Sequence, residues 1–192
     1  GPDLASIDLV YVPFFASAGV LADISDRADD LPLDRLSRAH LDQGTYQGRR
    51  YALPFTGDAS VLYYNTELFR RAGLDPDRPP RTWREFHTAA RRITALGKGY
   101  YGYHFSGRCG GCNVFTFSPF VWASGGRLLT GPVGRERPVV GSDPAVRQAL
   151  QLYRTLWREK LVPPQAAADT GAQGMTTFGS GRIGMYATGA FG

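Results

Sequence analysis

Ser60-Val61-Leu62-Tyr63-Tyr64-Asn65-Thr66-Glu67-Leu68-Phe69 changes character at its midpoint. The first five residues are β-branched, aromatic or apolar and read as an extended run. Thr66 then caps a helix that continues through Ala72, with Gly73 in the position where a left-handed backbone ends helices. A strand that feeds directly into a helix is the building unit of α/β domains. The alternation continues on both sides. Toward the C-terminus, Thr82-Trp83-Arg84-Glu85 fits a capping box, and Trp83, Phe86, Ala90, Ile93 and Leu96 follow on one face up to Gly97. Residues 100–105 form an aromatic strand, residues 114–123 a helix despite Pro119, and residues 183–187 a last strand. Asp143-Pro144 opens the clearest helix, a cap followed by proline at the first turn, with Val146, Ala149, Leu150, Tyr153, Leu156 and Trp157 as its apolar face. Toward the N-terminus, residues 8–12 form a short apolar run closed by Pro13, which predicts a buried strand, and a short helix follows through Leu21. Leu33, Leu36, Ala39, His40 and Leu41 recur at helical spacing, and Gln47-Gly48 is a turn before the strand Arg50-Tyr51-Ala52-Leu53. The class is α/β with a mostly parallel sheet.

The chain has 192 residues, 43% hydrophobic and 12% aromatic, which is too apolar for a disordered polymer. It suffices for one domain or two lobes. No apolar run approaches a membrane span. The net charge is +5, and twenty of the 22 basic residues are Arg. They are dispersed singly or in pairs (Arg49-Arg50, Arg70-Arg71, Arg91-Arg92), as on a solvated surface rather than a nucleic-acid-binding stripe. The Arg excess reads as the codon bias of a GC-rich genome.

The two cysteines stand as Cys109-Gly110-Gly111-Cys112. Such a pair can be half of a zinc site, but a second pair is missing and His40, His87 and His104 lack ligand spacing. It can be a redox pair, which needs a helix N-terminus at the first thiol. It can be a tight structural disulfide, contributing roughly 2 kcal/mol for so short a loop and implying an oxidising compartment. The disulfide is the expectation carried forward, with no metal and no cofactor. Gly179-Ser180-Gly181-Arg182-Ile183-Gly184 matches a dinucleotide fingerprint in letters only, because that motif needs a strand before it and a helix after it. Here a strand follows.

Several further segments share one resemblance. They include Tyr51-Ala52-Leu53-Pro54-Phe55, Leu62-Tyr63-Tyr64-Asn65-Thr66-Glu67-Leu68-Phe69 and Ala72-Gly73-Leu74-Asp75-Pro76. Pro80-Arg81-Thr82-Trp83-Arg84-Glu85-Phe86, Trp122-Ala123-Ser124-Gly125-Gly126, the stretch 15–24 and the stretch 178–185 complete the set. In order and spacing they resemble the extracytoplasmic solute-binding proteins of sugar ABC transporters, the group that includes maltose-binding protein. The resemblance implies a type II, periplasmic-binding-protein-like fold of two α/β lobes with sugar in the cleft. Residues 1–56 would be the remainder of the first lobe, 57–61 a hinge crossing, and 62–192 the second lobe, incomplete at its C-terminal end. Family members run to about twice this length, so the chain is expected to be cut short at both ends.

Sugar sites pair carboxylates or amides with aromatic rings, because a sugar offers both hydroxyls and C–H faces. The resemblance places Asp58 at the hinge as a hydroxyl acceptor, and Asn113 with Phe115 as a polar-aromatic pair lining the cleft. It places Gly189 before a stacking Phe191, and Phe14 facing the cleft from the first lobe. The disulfide would fix the loop that carries Asn113. The implied function is carbohydrate binding without chemistry, then delivery to ABC permease subunits, in an extracytoplasmic setting (periplasmic or cell-surface lipoprotein). Nucleic acid is not an expected partner, and contact with a membrane would come only through a lipid anchor or the permease. A glycoside-hydrolase-like enzyme is the alternative. It needs two facing carboxyls, whereas Glu67 and Glu85 fall at helix starts. A folded piece without binding competence is a third reading.

Overall fold

The computed structural model describes residues 2–28, 30–131 and 135–189. The chain divides into two compact units. The first comprises Gly1–Asp58 with Gly131–Glu136, and the second Ala59–Thr130 with Arg137–Gly192.

The first unit opens with a 3-10 turn at Leu9–Tyr11 that runs into helix α1 (Val12–Ser17). No strand forms at residues 8–12, contrary to the expectation. Asp8 Oδ1 accepts the Val10 N–H at 3.4 Å, which caps a turn rather than starting a strand. Pro13 lies in the first helical turn, where its missing N–H costs nothing. Helices α2 (Ser25–Ala28) and α3 (Arg38–Gln43) follow. The helical pattern expected from Leu33 onward is broken at Leu36, whose backbone is extended at ψ 151°. Strands β1 (Thr45–Tyr46) and β2 (Arg49–Arg50) form a hairpin pairing Thr45 with Arg50 and Tyr46 with Arg49. Gln47 and Gly48 make its turn with φ of 49° and 78°, the left-handed pair that matches the twist of two-residue hairpins. The strand stops at Arg50, short of Leu53. The Tyr51 and Ala52 N–H groups instead both reach the Gly44 carbonyl, at 2.9 and 3.2 Å.

The second unit contains β3 (Ser60–Tyr64), α4 (Thr66–Arg71), α5 (Trp83–Thr94), β4 (Tyr101–His104), α6 (Cys112–Thr116) and α7 (Ser118–Ala123). The short pair β5 (Leu129–Thr130) and β6 (Arg137–Pro138) precedes α8 (Pro144–Arg158) and α9 (Gly174–Thr177), and β7 (Ile183–Gly189) comes last. The main sheet has the order β3-β7-β4. β7 is buried along its length and central. It runs antiparallel to β3 (Ser60 opposite Gly189, Tyr64 opposite Met185) and parallel to β4 (Tyr101 opposite Ile183, His104 opposite Tyr186). The sheet is therefore mixed, not mostly parallel as expected. β7 returns beside β3 in the opposite direction and beside β4 in the same one.

Local chemistry sets the helix ends. Asn65, not Thr66, caps α4, its Oδ1 accepting the Leu68 N–H at 3.0 Å. Thr82 Oγ1 accepts the Glu85 N–H at 3.2 Å, and Glu85 Oε2 reaches back to the Arg81 N–H at 2.8 Å, one residue earlier than in the standard capping box. Asp143 Oδ1 accepts the Ala145 N–H at 2.8 Å beside Pro144, as its sequence predicts. The helix expected over 114–123 is two helices, because Pro119 falls in the first turn of α7 and Phe117 ends α6.

The core joins Phe86, Ala90 and Ile93 of α5 and Val146, Ala149 and Leu156 of α8 to Tyr103 and Met185 of the sheet. Each large side chain here contributes about 1.5–3 kcal/mol by leaving water. α5 lies so close on β4 that a Cβ at Gly102 would run into the backbone of Ala90. Trp83 stacks on Phe120 with ring centroids 4.9 Å apart. The apolar face of α8 is narrower than its spacing suggests, since Leu150 is 54% and Trp157 43% exposed. The glycine-rich stretch forms a helical turn at Phe178–Arg182 and then β7, the reverse of the dinucleotide order. Among the described residues no helix is long and apolar enough to cross a membrane.

Candidate functional site

The start of β3, the end of β7 and the end of β4 share one edge of the sheet. Ser60 pairs with Gly189, and the parallel pair ends at His104 opposite Tyr186. The chain leaves β4 through Phe105 and Ser106 and enters the disulfide loop, and α6 then packs against β7. In open α/β sheets, ligands bind outside the carboxyl ends of parallel strands, where loops converge and backbone groups are left unpaired by the sheet. Of the residues named from the sequence, Asn113 and Phe115 lie on α6, which packs against β7, and Gly189 ends β7.

Asn113 is half-buried. Its backbone is committed, the N–H to Cys109 O at 3.2 Å and the carbonyl accepting from Phe117 N at 3.0 Å. The Ser118 hydroxyl donates to that carbonyl as well, at 3.4 Å. No hydrogen bond of its side-chain amide is formed among the described residues, so a donor and an acceptor remain for a ligand. Phe115 is half-buried on the same helix. Cys109 and Cys112 are joined in a disulfide, with Cα atoms 5.2 Å apart. α6 begins at the second cysteine, not the first, so the helix-terminus geometry of a redox pair is absent from the first thiol.

Beneath this loop lies a network that the sequence reading did not anticipate. Asp169 is buried, with its side chain fully out of solvent. Its Oδ2 accepts from His104 Nε2 at 2.8 Å and from the Ser106 hydroxyl at 2.9 Å. Its Oδ1 accepts the Gly171 N–H at 2.9 Å and the Gln173 N–H at 3.4 Å. Its own carbonyl takes the Arg108 N–H at 2.9 Å, and Gly107 N donates to Ala166 O at 2.8 Å. Burial pushes the Asp169 carboxyl up, but these donors outweigh it and hold the group below the usual carboxylate range. Gly171, with φ of 102°, fits against both sulfurs of the disulfide, where a Cβ has no room. The Asp169 carboxylate thus ties the end of β4 to the 169–173 turn, and its backbone carbonyl holds the disulfide loop. Tyr153 adds a brace from α8, its hydroxyl donating to Thr116 O of α6 at 3.2 Å, while burial pushes its own phenol above the ordinary range.

This cluster carries no nucleophile chemistry. Ser106 and His104 both bond to Asp169 and not to each other, so no base is aimed at the hydroxyl. Among the described residues no three His, Cys, Asp or Glu side chains are placed to hold a metal. Glu67 and Glu85 serve their helix starts: Glu67 receives Arg70 at 3.3 Å and Glu85 the Arg81 N–H.

The first unit holds the other named residues. Phe14 is 65% exposed on α1, its ring edge-on to Phe15 at 5.4 Å. Asp58 ends this unit, half-buried, with its backbone against the His40 ring. Phe191 lies outside the described residues. A separate cavity of about 450 Å³ in the second unit is walled by Val61, Leu62, Trp83, Phe120 and Gln148 and contains none of the residues named from the sequence.

Known proteins were compared with the chain at this point. It is 29% identical over 186 residues to the mannitol-binding protein of Pseudomonas aeruginosa, covering 96% of this chain and 41% of that protein. The structure of a solute-binding protein from Thermotoga lettingae TMO, bound with alpha-D-tagatose, superposes with a TM-score of 0.87 at 32% identity, covering all of this chain and 48% of that one. A solute-binding protein from Agrobacterium radiobacter K84, in complex with ribitol, superposes with a TM-score of 0.81 at 29% identity over 98% of this chain and 47% of that one. The chain therefore spans under half the length of these relatives, and its fold is that of the type II periplasmic binding proteins. The profile of the bacterial extracellular solute-binding proteins matches residues 1–192, and the chain belongs to that family.

Proposed function

We propose that the chain forms the binding portion of a carbohydrate receptor that hands its ligand, chemically unchanged, to the permease of an ABC importer. What supports the reading is the uncommitted Asn113 amide and the half-buried Phe115 ring on α6, a helix that follows the disulfide and packs against β7. Fixed polar groups beside an aromatic surface suit a polyhydroxylated guest. The paired carboxylates of a glycosidase have no counterpart among the described residues at this edge. Asp58 would accept hydroxyl hydrogens, Phe14 and Phe191 would offer ring faces, and Gly189 would let the guest approach the backbone. The disulfide would keep Asn113 in register for binding. Residues 57–61 would be the hinge crossing between a first lobe at 1–56 and a second at 62–192. A guest that favours one conformational state shifts the population toward it, and the permease would read that state.

An oxidising, extracytoplasmic setting follows from the disulfide, and a lipid anchor belongs to the same reading. The Arg-rich composition, with twenty Arg, fits a GC-rich bacterial source. The test is calorimetric titration of the full-length protein with maltose, D-mannitol, ribitol and D-tagatose, alongside incubation with aryl glycosides. Binding of one polyol or sugar without turnover supports the proposal. Sustained release of aglycone overturns it.

A further inference from the structure

His40 sits in α3 with its Nε2 3.2 Å from the backbone nitrogen of Asp58 and 3.2 Å from the backbone oxygen of the same residue. Two aligned partners on one peptide segment define position and direction together. One nitrogen serves both only in alternation: without a hydrogen Nε2 accepts the Asp58 N–H, and with one it donates to the Asp58 carbonyl. The other ring nitrogen, Nδ1, is buried and has no hydrogen-bond partner among the described residues. Nε2 thus turns to Asp58 while the buried Nδ1 goes unsatisfied.

The ring itself is held from behind. The Leu41 carbonyl, next in sequence, accepts from Thr45 Oγ1 and from Arg50 Nη1, each at 3.2 Å, which fixes the end of α3 to the β1–β2 hairpin. The Gly44 carbonyl holds Tyr51 and Ala52 in the same way. Gly57 passes over the imidazole, and a Cβ there would lie 3.9 Å from Nε2, an ordinary contact. The stretch between Ala52 and Asp58 has no regular structure of its own, and Phe55 in it is 92% exposed. A side chain carried by such a stretch points in a defined direction only if its backbone is tied to something rigid.

We infer that His40 is the positioning residue for Asp58, fixing the backbone from which that carboxylate is presented to the ligand. The inference rests on the ligand role proposed above for Asp58.

The test compares His40→Phe, which keeps a ring and loses both nitrogens, with His40→Gln, whose amide reaches a similar distance and can accept or donate. Full-length protein is titrated with maltose, D-mannitol, ribitol and D-tagatose, and hydrogen exchange at the Asp58 amide is followed by NMR. His40→Phe is expected to lose Asp58 amide protection and to weaken binding of the tightest of these probes by about fivefold, with its melting temperature near wild type. His40→Gln restores both. Unchanged exchange at Asp58 in His40→Phe overturns the inference. So does unchanged affinity in His40→Phe when Asp58→Ala weakens binding, and that pattern leaves the proposed site standing. If Asp58→Ala binds as wild type does, the ligand role falls and this inference falls with it.

Discussion

Asp169→Ala removes the carboxylate that joins the end of β4 to the 169–173 turn. Four hydrogen bonds end on its carboxylate, from His104, Ser106 and the Gly171 and Gln173 amides, at 2.8 to 3.4 Å. All four donors lose a partner, and His104 and Ser106 are only 1% and 2% exposed. Removing one partner of a buried, hydrogen-bonded pair costs about 3–5 kcal/mol, because the remaining polar groups stay desolvated and unpaired. For a domain of this size each kcal/mol lowers Tm by about 2–4 °C, so the shift is roughly 6–20 °C. The assay is urea unfolding by tryptophan fluorescence with the slope m compared between variants, so that a change in midpoint reads stability alone. The pH dependence gives a second readout. The folded Asp169 carboxyl lies below its unfolded value of about 3.9, so its contribution is fully present above that pH and disappears as pH falls through the folded value. The gap between wild type and Asp169→Ala is therefore constant from about pH 5 upward and closes in stronger acid. A loss below about 1 kcal/mol, or a gap that widens in acid, refutes the assignment of the Asp169 carboxylate as the tie between β4 and the 169–173 turn.

Reduction of Cys109–Cys112, or the double change to Ser, is expected to cost about 2 kcal/mol of stability and to weaken sugar binding measured by calorimetry. Affinity that survives reduction intact separates the disulfide from the Asn113 site. Asp58→Ala is expected to weaken binding by about 1–3 kcal/mol in the same titrations, and near-native affinity eliminates it as a ligand. Gly102→Val forces a side chain into the Ala90 backbone and is expected to destabilise by at least about 1–3 kcal/mol, read from the urea midpoint, because neither backbone can yield.

The parts of this structure that were legible in sequence are those whose cause is local. Asp143-Pro144 announces α8 because cap and proline act within one turn, and Thr82 with Glu85 announces α5 for the same reason. The Gln47-Gly48 turn needs only two left-handed residues. The cysteines bond as their spacing allows. Illegibility begins where a distant partner decides. Residues 8–12 have the composition of a strand but turn helical, since Pro13 suits a helix start as well as a strand end, and no strand pairs with them among the described residues. Trp157 and Leu150 fall on the predicted apolar stripe of α8 and are left half in water, because helical spacing defines a direction but not the width of the neighbour. The Asp169–His104 pair joins residues far apart in sequence, and neither carries a motif. A lone histidine after an aromatic run is the only hint. Of the candidate site, the sequence shows the residue types, while the sheet end beside which α6 packs depends on β7 running between β3 and β4.

The place of β7 bears on how the polypeptide comes off the ribosome. It follows both of its neighbours in the sequence, yet among the described residues it is the strand that lies between them and pairs with each. Until residues 183–189 emerge, β3 and β4 lack the strand that joins them in the fold, and α5 can pack on β4. Native pairing so remote along the chain is slow to find and open to aggregation while it is sought. Nascent chains that have not yet exposed residues 183–189 should therefore be clients for holding chaperones.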